Sequence, residues 1–220
     1  MKIKAIQNAL NQEFAEREEV IEGLIVALIA RQHCLLIGPP GTGKSALVSG
    51  LTKRITGANH FQWLLTRFST PEELFGPVSL KELEQGIYKR NIAGKLPEAH
   101  LAFVDEIFKA NSAILNSLLS IINERLFYNN GHPVQVPLMT LVGASNEYPE
   151  EGEGLEALFD RFLLRFEVGY IGEDQAFLSM MRGPQSVPAD MTIDELYELQ
   201  FFSDTVTIPD EVYTTLANIR

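Results

Sequence analysis

The chain has 220 residues, 45% of them hydrophobic and 21% charged, which is the composition of a globular protein with a sizeable core. Its 29 acidic and 18 basic side chains give a formal net charge of −11, which argues against a broad basic surface for nucleic acid or anionic lipid. The single cysteine excludes an internal disulfide and no apolar run is long enough to span a membrane, so we expect a cytoplasmic protein.

The N-terminal thirty residues predict a pair of helices. Apolar residues recur at steps of three and four, first over residues 3–14 and then over residues 20–29. This spacing is typical of helices with one buried face. The charged segment between them, residues 13–19, is most simply a solvated turn.

A phosphate-binding loop follows the first predicted strand, residues 33–37. Gly38, four intervening residues, Gly43, Lys44 and Ser45 have the spacing of a P-loop, in which backbone N–H groups and a helix N-terminus converge on phosphate. Lys44 would reach the β- and γ-phosphates, and the Ser45 hydroxyl would ligate Mg²⁺. A helix is predicted to leave the loop over residues 44–56. The predicted nucleotide-binding residues are Gly38, Pro39, Pro40, Gly41, Thr42, Gly43, Lys44, Ser45 and Ala46.

The next segment predicts a strand, a short helix and an exposed excursion. Residues 61–68 are rich in aromatic and branched side chains and indicate a buried strand. Thr70 is then placed as a helix N-cap, with Glu73 at the capping-box position. Residues 78–97 alternate between apolar and polar around Gly86, which indicates an excursion that contains a hairpin.

Two carboxylates end the next apolar strand, residues 101–106. Because ligands of α/β sheets bind at the carboxyl ends of strands, we expect Asp105 and Glu106 to share a crevice with the P-loop. Asp105 would hold Mg²⁺, and Glu106 would polarise the attacking water as a general base. The pair could instead simply cap the following helix, but the P-loop earlier in the chain favours the catalytic interpretation.

A further strand ends in a polar residue. A helical face over residues 114–122 precedes a hairpin whose turn is Asn129-Asn130-Gly131, and residues 138–144 form the strand. Asn146 follows it, where an amide can orient the lytic water beside a γ-phosphate. Asn is also common in turns, and position alone does not decide between the two.

The last third of the chain predicts a short helix, a final strand and several helices. Arg161 stands just before the strand, either as a surface ion-pair partner or as an arginine finger for the nucleotide of a neighbouring subunit. Beyond Gly169, proline-containing steps separate short helices. The last helix begins near Pro209 and has no terminator, so we expect a truncated chain.

Four motifs together resemble the AAA+ ATPases; they are the P-loop, the strand that ends in two acids, Ala144-Ser145-Asn146 and residues 158–162. Residues 66–77 and 116–125 narrow the resemblance to the MoxR family and are most similar to its RavA-like branch. The resemblance implies a three-layer αβα P-loop NTPase fold with a five-stranded parallel sheet, a helix-2 insert, a pre-sensor-1 hairpin and the start of a helical lid.

The resemblance also implies a role for each candidate site residue. Its assignments are Walker A for residues 38–45, Walker B for Asp105 and Glu106, sensor 1 for Asn146, and the arginine finger for Arg161, with Arg165 as the second candidate. It divides the chain into an AAA+ core, 1–170, a helical connection, 171–210, and the beginning of a lid, 211–220. The sensor-2 arginine of the lid is missing from these residues, so hydrolysis by this chain is expected to be weak.

The function implied is ATP hydrolysis that drives the remodelling of protein partners. The resemblance implies ATP and Mg²⁺ as cofactors, assembly into a ring that is expected to be a hexamer, and a von Willebrand factor A-domain partner beside an unnamed protein client. A DNA-acting AAA+ ATPase of the helicase or clamp-loader type shares the core, but the acidic charge speaks against it. A non-hydrolysing nucleotide-dependent scaffold stays open, whereas a GTPase is disfavoured because no Asn-Lys-x-Asp motif occurs.

Overall fold

Parallel strands form the central sheet of the computed structural model, which describes residues 2–149, 154–181 and 189–219. The described strands are β1 (Cys34–Ile37), β2 (Ile55–Thr56), β3 (His60–Leu64), β4 (Leu101–Asp105), β5 (Leu126–Asn129), β6 (His132–Gln135), β7 (Thr140–Ser145), β8 (Leu164–Glu167) and β9 (Met191–Thr192). Five of them form one sheet in the order β3-β4-β7-β1-β8, with every neighbouring pair parallel. The predicted five-stranded parallel sheet is thus confirmed.

Helices cover both faces of this sheet. The described helices are α1 (Lys2–Glu13), α2 (Glu18–Ala30), α3 (Lys44–Thr52), α4 (Pro71–Phe75), α5 (Leu80–Leu83), α6 (Ser112–Glu124), α7 (Glu156–Phe159), α8 (Asp174–Met181), α9 (Ile193–Asp204) and α10 (Asp210–Ile219). Successive strand residues point to opposite faces, so Leu36 packs in the core beneath α1, α2, α3 and α9, whereas Leu35 and Ile37 pack beneath α4, α6 and α7. The result is the predicted three-layer α/β fold.

The segment after β3 departs from the sequence prediction. A strand was expected over residues 61–68, but β3 ends at Leu64 and Phe68 is 91% exposed. The cause is a local turn, in which the Ser69 hydroxyl accepts from the Thr66 N–H and the Thr66 hydroxyl accepts from the Phe68 N–H. Hydroxyl groups that bond nearby backbone compete in this way with strand pairing.

The helix after this turn begins where expected, but its predicted capping box does not form. Thr70 is the N-cap of α4, yet its side chain accepts no capping hydrogen bond. The carboxylate of Glu73 instead accepts from the indole N–H of Trp63 at 3.1 Å. A second helix boundary also differs from the prediction. Helix α3 ends at Thr52 rather than Thr56, because the chain turns into β2.

Of the two predicted hairpins, one forms. β5 and β6 pair antiparallel around Asn130 and Gly131, whose φ angles of +54° and +75° are those of a two-residue hairpin turn. The excursion near Gly86 is instead closed by a single antiparallel bridge between Val78 and Arg90 and contains the one-turn helix α5. The hairpin prediction near Gly86 is therefore wrong, since a helical turn takes the place of one strand.

The C-terminal elements return to the N-terminal helices. β9 pairs with β2, and α9 packs on α2, where the buried Gln200 side chain donates to the Leu28 carbonyl oxygen at 2.8 Å. In contrast, α10 has no buried residue. The division into core, connection and lid stays a prediction. No helix within the described ranges combines the length and apolar character needed to cross a membrane.

Candidate functional site

Glycines shape the loop between β1 and α3. Gly41 and Gly43 have φ angles of +81° and +83°, in the left-handed region that favours glycine. At Gly38 the constraint is space, because a Cβ there would lie 2.1 Å from the carbonyl oxygen of Val168, just after β8. The loop therefore turns tightly at the carboxyl end of β1 and leads into α3, which begins at Lys44.

The side chain of Lys44 folds back onto this loop. Its ammonium group donates to the carbonyl oxygens of Gly38 at 2.5 Å and Pro39 at 3.1 Å. It also donates to Oδ1 of Asn146 at 3.3 Å. An ammonium group has three donors, so each of them is satisfied within the protein, and an incoming anion would compete for them.

The end of β4 brings two carboxylates to the same edge of the sheet. The hydroxyl of Ser45 donates to Oδ2 of Asp105 at 3.2 Å. The next residue, Glu106, accepts a hydrogen bond from the side-chain amide of Asn146, and its Oε2 lies 3.2 Å from Nζ of Lys109. Asp105 thus faces the hydroxyl of the P-loop, whereas Glu106 faces the amide at the end of β7.

A cavity of about 390 Å³ lies between these groups. Residues 40–46 line one side of it, and Asp105, Glu106 and Asn146 line the other. Burial lowers the pKa of Lys44, while the two acids act in the opposite direction. The structure therefore brings residues 40–46 of the predicted P-loop together with the predicted Walker B acids, Asp105 and Glu106, and the predicted sensor-1 residue, Asn146, whereas Gly38 and Pro39 do not line this cavity.

Two oxygen-containing side chains of this cavity are suitable ligands for a magnesium ion. The Ser45 hydroxyl and the Asp105 carboxylate lie 3.2 Å apart, and Mg²⁺ is commonly bound by one or two protein oxygens with phosphate and water in its remaining positions. No group of three or more His, Cys, Asp or Glu side chains in the described part of the chain forms a metal site.

A second cavity of about 390 Å³ adjoins the first and shares residues 41–43 and Ala46 with it. Its other walls include Phe14 after α1, Ile171 after β8, and Phe177 on α8. Sequence reasoning missed these residues, because they come from opposite ends of the chain and have no common motif. Apolar side chains beside a phosphate cradle suit the flat face of a nucleotide base.

The charged turn between α1 and α2 is hydrogen-bonded to the P-loop and to the segment after β8, so the prediction of a solvated turn is wrong. Arg17 is only 9% exposed, and its guanidinium donates to the carbonyl oxygens of Gly169 at 2.5 Å and Thr42 at 3.4 Å. Glu16 accepts from the N–H groups of Gly172 and Glu173, and these bonds lower its pKa. The turn thereby ties the P-loop to the segment after β8. A carbonyl-binding arginine leaves no sequence signature.

Arg161 lies near the amino-terminal ends of the strands, whereas the P-loop lies at their carboxyl ends. It lines a cavity of about 310 Å³ together with Gln32 and His33, which precede β1, whereas the P-loop follows β1. The length of β1, four residues or roughly 13 Å, therefore separates Arg161 from its own phosphate loop. Within the described ranges, its side chain has no hydrogen-bond or ion-pair partner.

Arg165, the second finger candidate, is held within its own subunit. Its Nε donates to the Phe162 carbonyl oxygen at 2.9 Å, and its guanidinium carbon lies 4.0 Å from the centroid of the Phe159 ring. One terminal nitrogen is also 3.8 Å from a carboxylate oxygen of Asp160. Neither Arg161 nor Arg165 lines the cavity beside the P-loop.

Glu106 is held in a left-handed backbone conformation, with φ +53° and ψ +44°. This conformation costs a residue with a Cβ about 1 kcal/mol more than glycine. We expect Glu106→Gly to unfold with a free energy about 1 kcal/mol higher than that of Glu106→Ala, as measured by urea denaturation. Both variants lose the carboxylate, so their difference isolates the backbone. Equal stability of the two would contradict this explanation.

Comparison with known proteins identifies relatives along most of the chain. The family described as the MoxR domain in MoxR-vWA-beta-propeller ternary systems matches residues 1–196. An uncharacterized protein of Methanocaldococcus jannaschii is 43% identical over 210 residues, which cover 94% of this chain and 55% of that protein. The chaperone MoxR1 of Mycobacterium tuberculosis is 28% identical over 158 residues, 70% of this chain and 41% of that protein. The chain thus spans about half the length of these relatives.

A crystal structure of a candidate ATPase from Cytophaga hutchinsonii has the same fold. Its TM-score against this chain is 0.79 at 19% sequence identity, and the match covers 99% of this chain and 67% of that one. At this identity the likeness concerns the fold alone.

Proposed function

Because this chain belongs to the MoxR family of AAA+ domains, we propose that it is a Mg²⁺-dependent ATPase that hydrolyses ATP to remodel or activate protein partners. The observation that carries the proposal is the cavity in which residues 40–46 face Asp105, Glu106 and Asn146. Fold likeness alone does not define a reaction. The proposal therefore rests on the presence in one cavity of a loop that can bind phosphate, two oxygen ligands for Mg²⁺ and a carboxylate that can act as a base.

Each group in the cavity has a distinct part in this proposal. The backbone N–H groups of the loop and the ammonium of Lys44 hold the phosphates, and this requires Lys44 to release the carbonyl oxygens that it now binds. Ser45 and Asp105 hold the magnesium ion, which neutralises charge on the phosphates. Glu106 orients the attacking water and accepts its proton, and Asn146 positions that water.

The adjoining apolar cavity would hold the base of the nucleotide. It shares the central loop residues with the phosphate site, and Arg17, which lines it, donates to the carbonyl oxygens of Thr42 and Gly169. Adenine is the proposed base, since the chain has no Asn-Lys-x-Asp motif for guanine.

The proposed oligomer is a ring, with six subunits as the working number. The Arg161 cavity lies at the amino-terminal ends of the strands, and the nucleotide cavity lies at their carboxyl ends. A head-to-tail contact between these two ends of the strands is heterologous, and such contacts form a ring when the rotation from one subunit to the next closes. In this arrangement Arg161 of one subunit, or Arg165 as the second candidate, completes the nucleotide site of the next.

The proposed partners are a von Willebrand factor A-domain protein and an unidentified protein client, in the cytoplasm. Support for the first comes from the family description, which names MoxR-vWA-beta-propeller ternary systems. The excursion at residues 78–97, which corresponds to the expected helix-2 insert, and the β5–β6 hairpin are the proposed contact surfaces for the client. They are joined by the Asn129 side chain, which accepts from the Arg90 N–H at 2.7 Å and donates to the Arg90 carbonyl oxygen at 3.1 Å. Membership of the RavA-like branch also stays a proposal.

The proposal is tested by measuring Mg·ATP binding and phosphate release with the full-length protein. Lys44→Ala is expected to weaken Mg·ATP binding by about 10- to 100-fold, because a charge-assisted hydrogen bond to phosphate contributes about 1.5–3 kcal/mol. The matched control is Lys53→Ala, which removes an exposed lysine next to the C-terminus of the same helix. Calorimetry that detects no Mg·ATP binding by the wild type would overturn the proposal.

A further inference from the structure

Among the described residues, two side chains contact the carboxylate of Glu106. Asn146 donates to Oε1, and Nζ of Lys109 lies 3.2 Å from Oε2. The Glu106 side chain is only 12% exposed, whereas that of Lys109 is 41% exposed. The two carboxylate oxygens therefore have separate partners on separate elements, one at the end of β7 and one beyond β4.

The backbone between Glu106 and Lys109 holds the ion pair together. Residues Ile107–Lys109 form a single 3₁₀ turn, and the Lys109 N–H donates to the Glu106 carbonyl oxygen at 2.9 Å. Side chains three residues apart lie above one another in such a turn. Ile107 is fully buried and anchors the turn in the core. The contact is thus built into the chain and does not depend on a distant element.

Nucleotide binding would break one of these contacts and leave the other. Asn146 lines the nucleotide cavity and is also bonded to Lys44, so phosphates that attract Lys44 disturb the Asn146 contact as well. Lys109 does not line this cavity and holds Glu106 from outside it. A general base must present one oxygen to the water in a fixed orientation, and an ion pair on the other oxygen provides this.

We propose that Lys109 is a positioning residue, which keeps the Glu106 carboxylate directed at the attacking water once the nucleotide has engaged Lys44 and Asn146. The inference rests on the proposed function of the same site. The stabilising effect of the pair on the fold is small, because ion pairs with an exposed lysine contribute little to the free energy of unfolding. Its effect is therefore expected in the rate of hydrolysis and not in folding.

The test compares Lys109→Met and Lys109→Arg with the wild-type protein in steady-state ATP hydrolysis and in Mg·ATP binding. Lys109→Met is expected to lower kcat by about tenfold, which corresponds to about 1.4 kcal/mol in the barrier. KM and Kd for Mg·ATP are expected to stay unchanged, and Lys109→Arg is expected to restore most of kcat. The matched control is Lys2→Met, which removes the lysine of a surface ion pair with Glu195, at 2.6 Å; its kcat and melting temperature are expected to equal those of the wild type.

Several outcomes would overturn the inference. They are a wild-type kcat for Lys109→Met, a loss that Lys109→Arg does not restore, and a change in KM or Kd in place of kcat. Each of these requires a wild type that hydrolyses ATP, and leaves the proposed function standing. A wild type that releases no phosphate overturns the proposed function, and this inference with it. A melting temperature well below that of Lys2→Met would assign Lys109 to folding and likewise overturn it.

Discussion

Replacing Arg161 with alanine is expected to lower the rate of ATP hydrolysis by the assembled protein by at least about a thousandfold, the effect of an arginine finger on phosphoryl transfer. Binding of Mg·ATP by the variant is expected to match the wild type. The measurement is phosphate release per subunit over a range of protein concentrations. In the proposed ring the finger comes from a neighbouring subunit, so wild-type activity per subunit is expected to rise with concentration until assembly is complete.

The geometry of Arg161 supports a role between subunits. Its guanidinium is exposed and unpaired within the described residues, at the edge of the sheet opposite the P-loop. An exposed arginine without a partner among the described residues has its five donors accessible to a group from another subunit. A surface ion pair, the alternative reading of this position, is not present among the described residues.

Arg165 provides the matched comparison for this variant. It stands four residues away, but its guanidinium packs on Phe159 and donates to the carbonyl oxygen of Phe162. Arg165→Ala is therefore expected to lose far less activity than Arg161→Ala. A larger loss for Arg165→Ala would make Arg165 the finger in place of Arg161. A hydrolysis rate per subunit that does not depend on protein concentration, measured on a monomeric sample, would contradict a site shared between subunits.

The elements that could be predicted from the sequence are those whose signal is local. The P-loop needs glycines at positions where backbone conformation or close approach forbids other residues, and Gly41 and Gly43 indeed have positive φ angles. The turn Asn130-Gly131 is a second case, since both residues take the left-handed conformation, which asparagine tolerates and glycine adopts freely because it has no Cβ. The acids at the end of β4 follow from the rule that parallel strands end at one edge.

What could not be predicted depends on contacts between distant parts of the chain. Arg17 binds carbonyl oxygens of Thr42 and Gly169, the latter 152 residues away, and any exposed turn can contain the same charged residues. The apolar cavity beside the P-loop is likewise assembled from α1, α8 and the segment after β8. Phe68 was misplaced for the opposite reason, because a local hydroxyl turn overrode a strand-like composition.

The polar side chains of the site are linked to one another by hydrogen bonds and an ion pair. Lys44 binds Asn146, Asn146 binds Glu106, and Glu106 pairs with Lys109. Each of the first three is also a group that the proposed reaction needs for phosphate or water. Nucleotide binding must therefore exchange internal hydrogen bonds for bonds to the ligand, and the net gain per bond is modest. The gain is expected to be largest for Lys44, whose partners would change from neutral carbonyl oxygens to charged phosphate oxygens.

Replacing Glu106 with glutamine is the second large effect expected. An amide cannot accept the proton of the attacking water, so the rate of hydrolysis is expected to fall by about 10²- to 10⁴-fold, the usual contribution of a general base. Glutamine keeps the shape of the side chain and one oxygen acceptor, so Mg·ATP binding is expected to remain. The matched control is Glu198→Gln, which changes an exposed acid on α9 and is expected to retain the wild-type rate.

Mixing the two inactive variants tests whether the site is shared. A Glu106→Gln subunit retains its Arg161, and an Arg161→Ala subunit retains its Glu106, so an interface between the two can hold one complete site. The mixture is therefore expected to hydrolyse ATP faster than the sum of its separate components, up to about a quarter of the wild-type rate if subunits mix at random and one complete site suffices. A rate no higher than that sum, in a mixture shown to form joint assemblies, would place the whole reaction within single subunits. Equal rates for Glu106→Gln and wild type, both near zero, would instead describe a nucleotide-dependent scaffold.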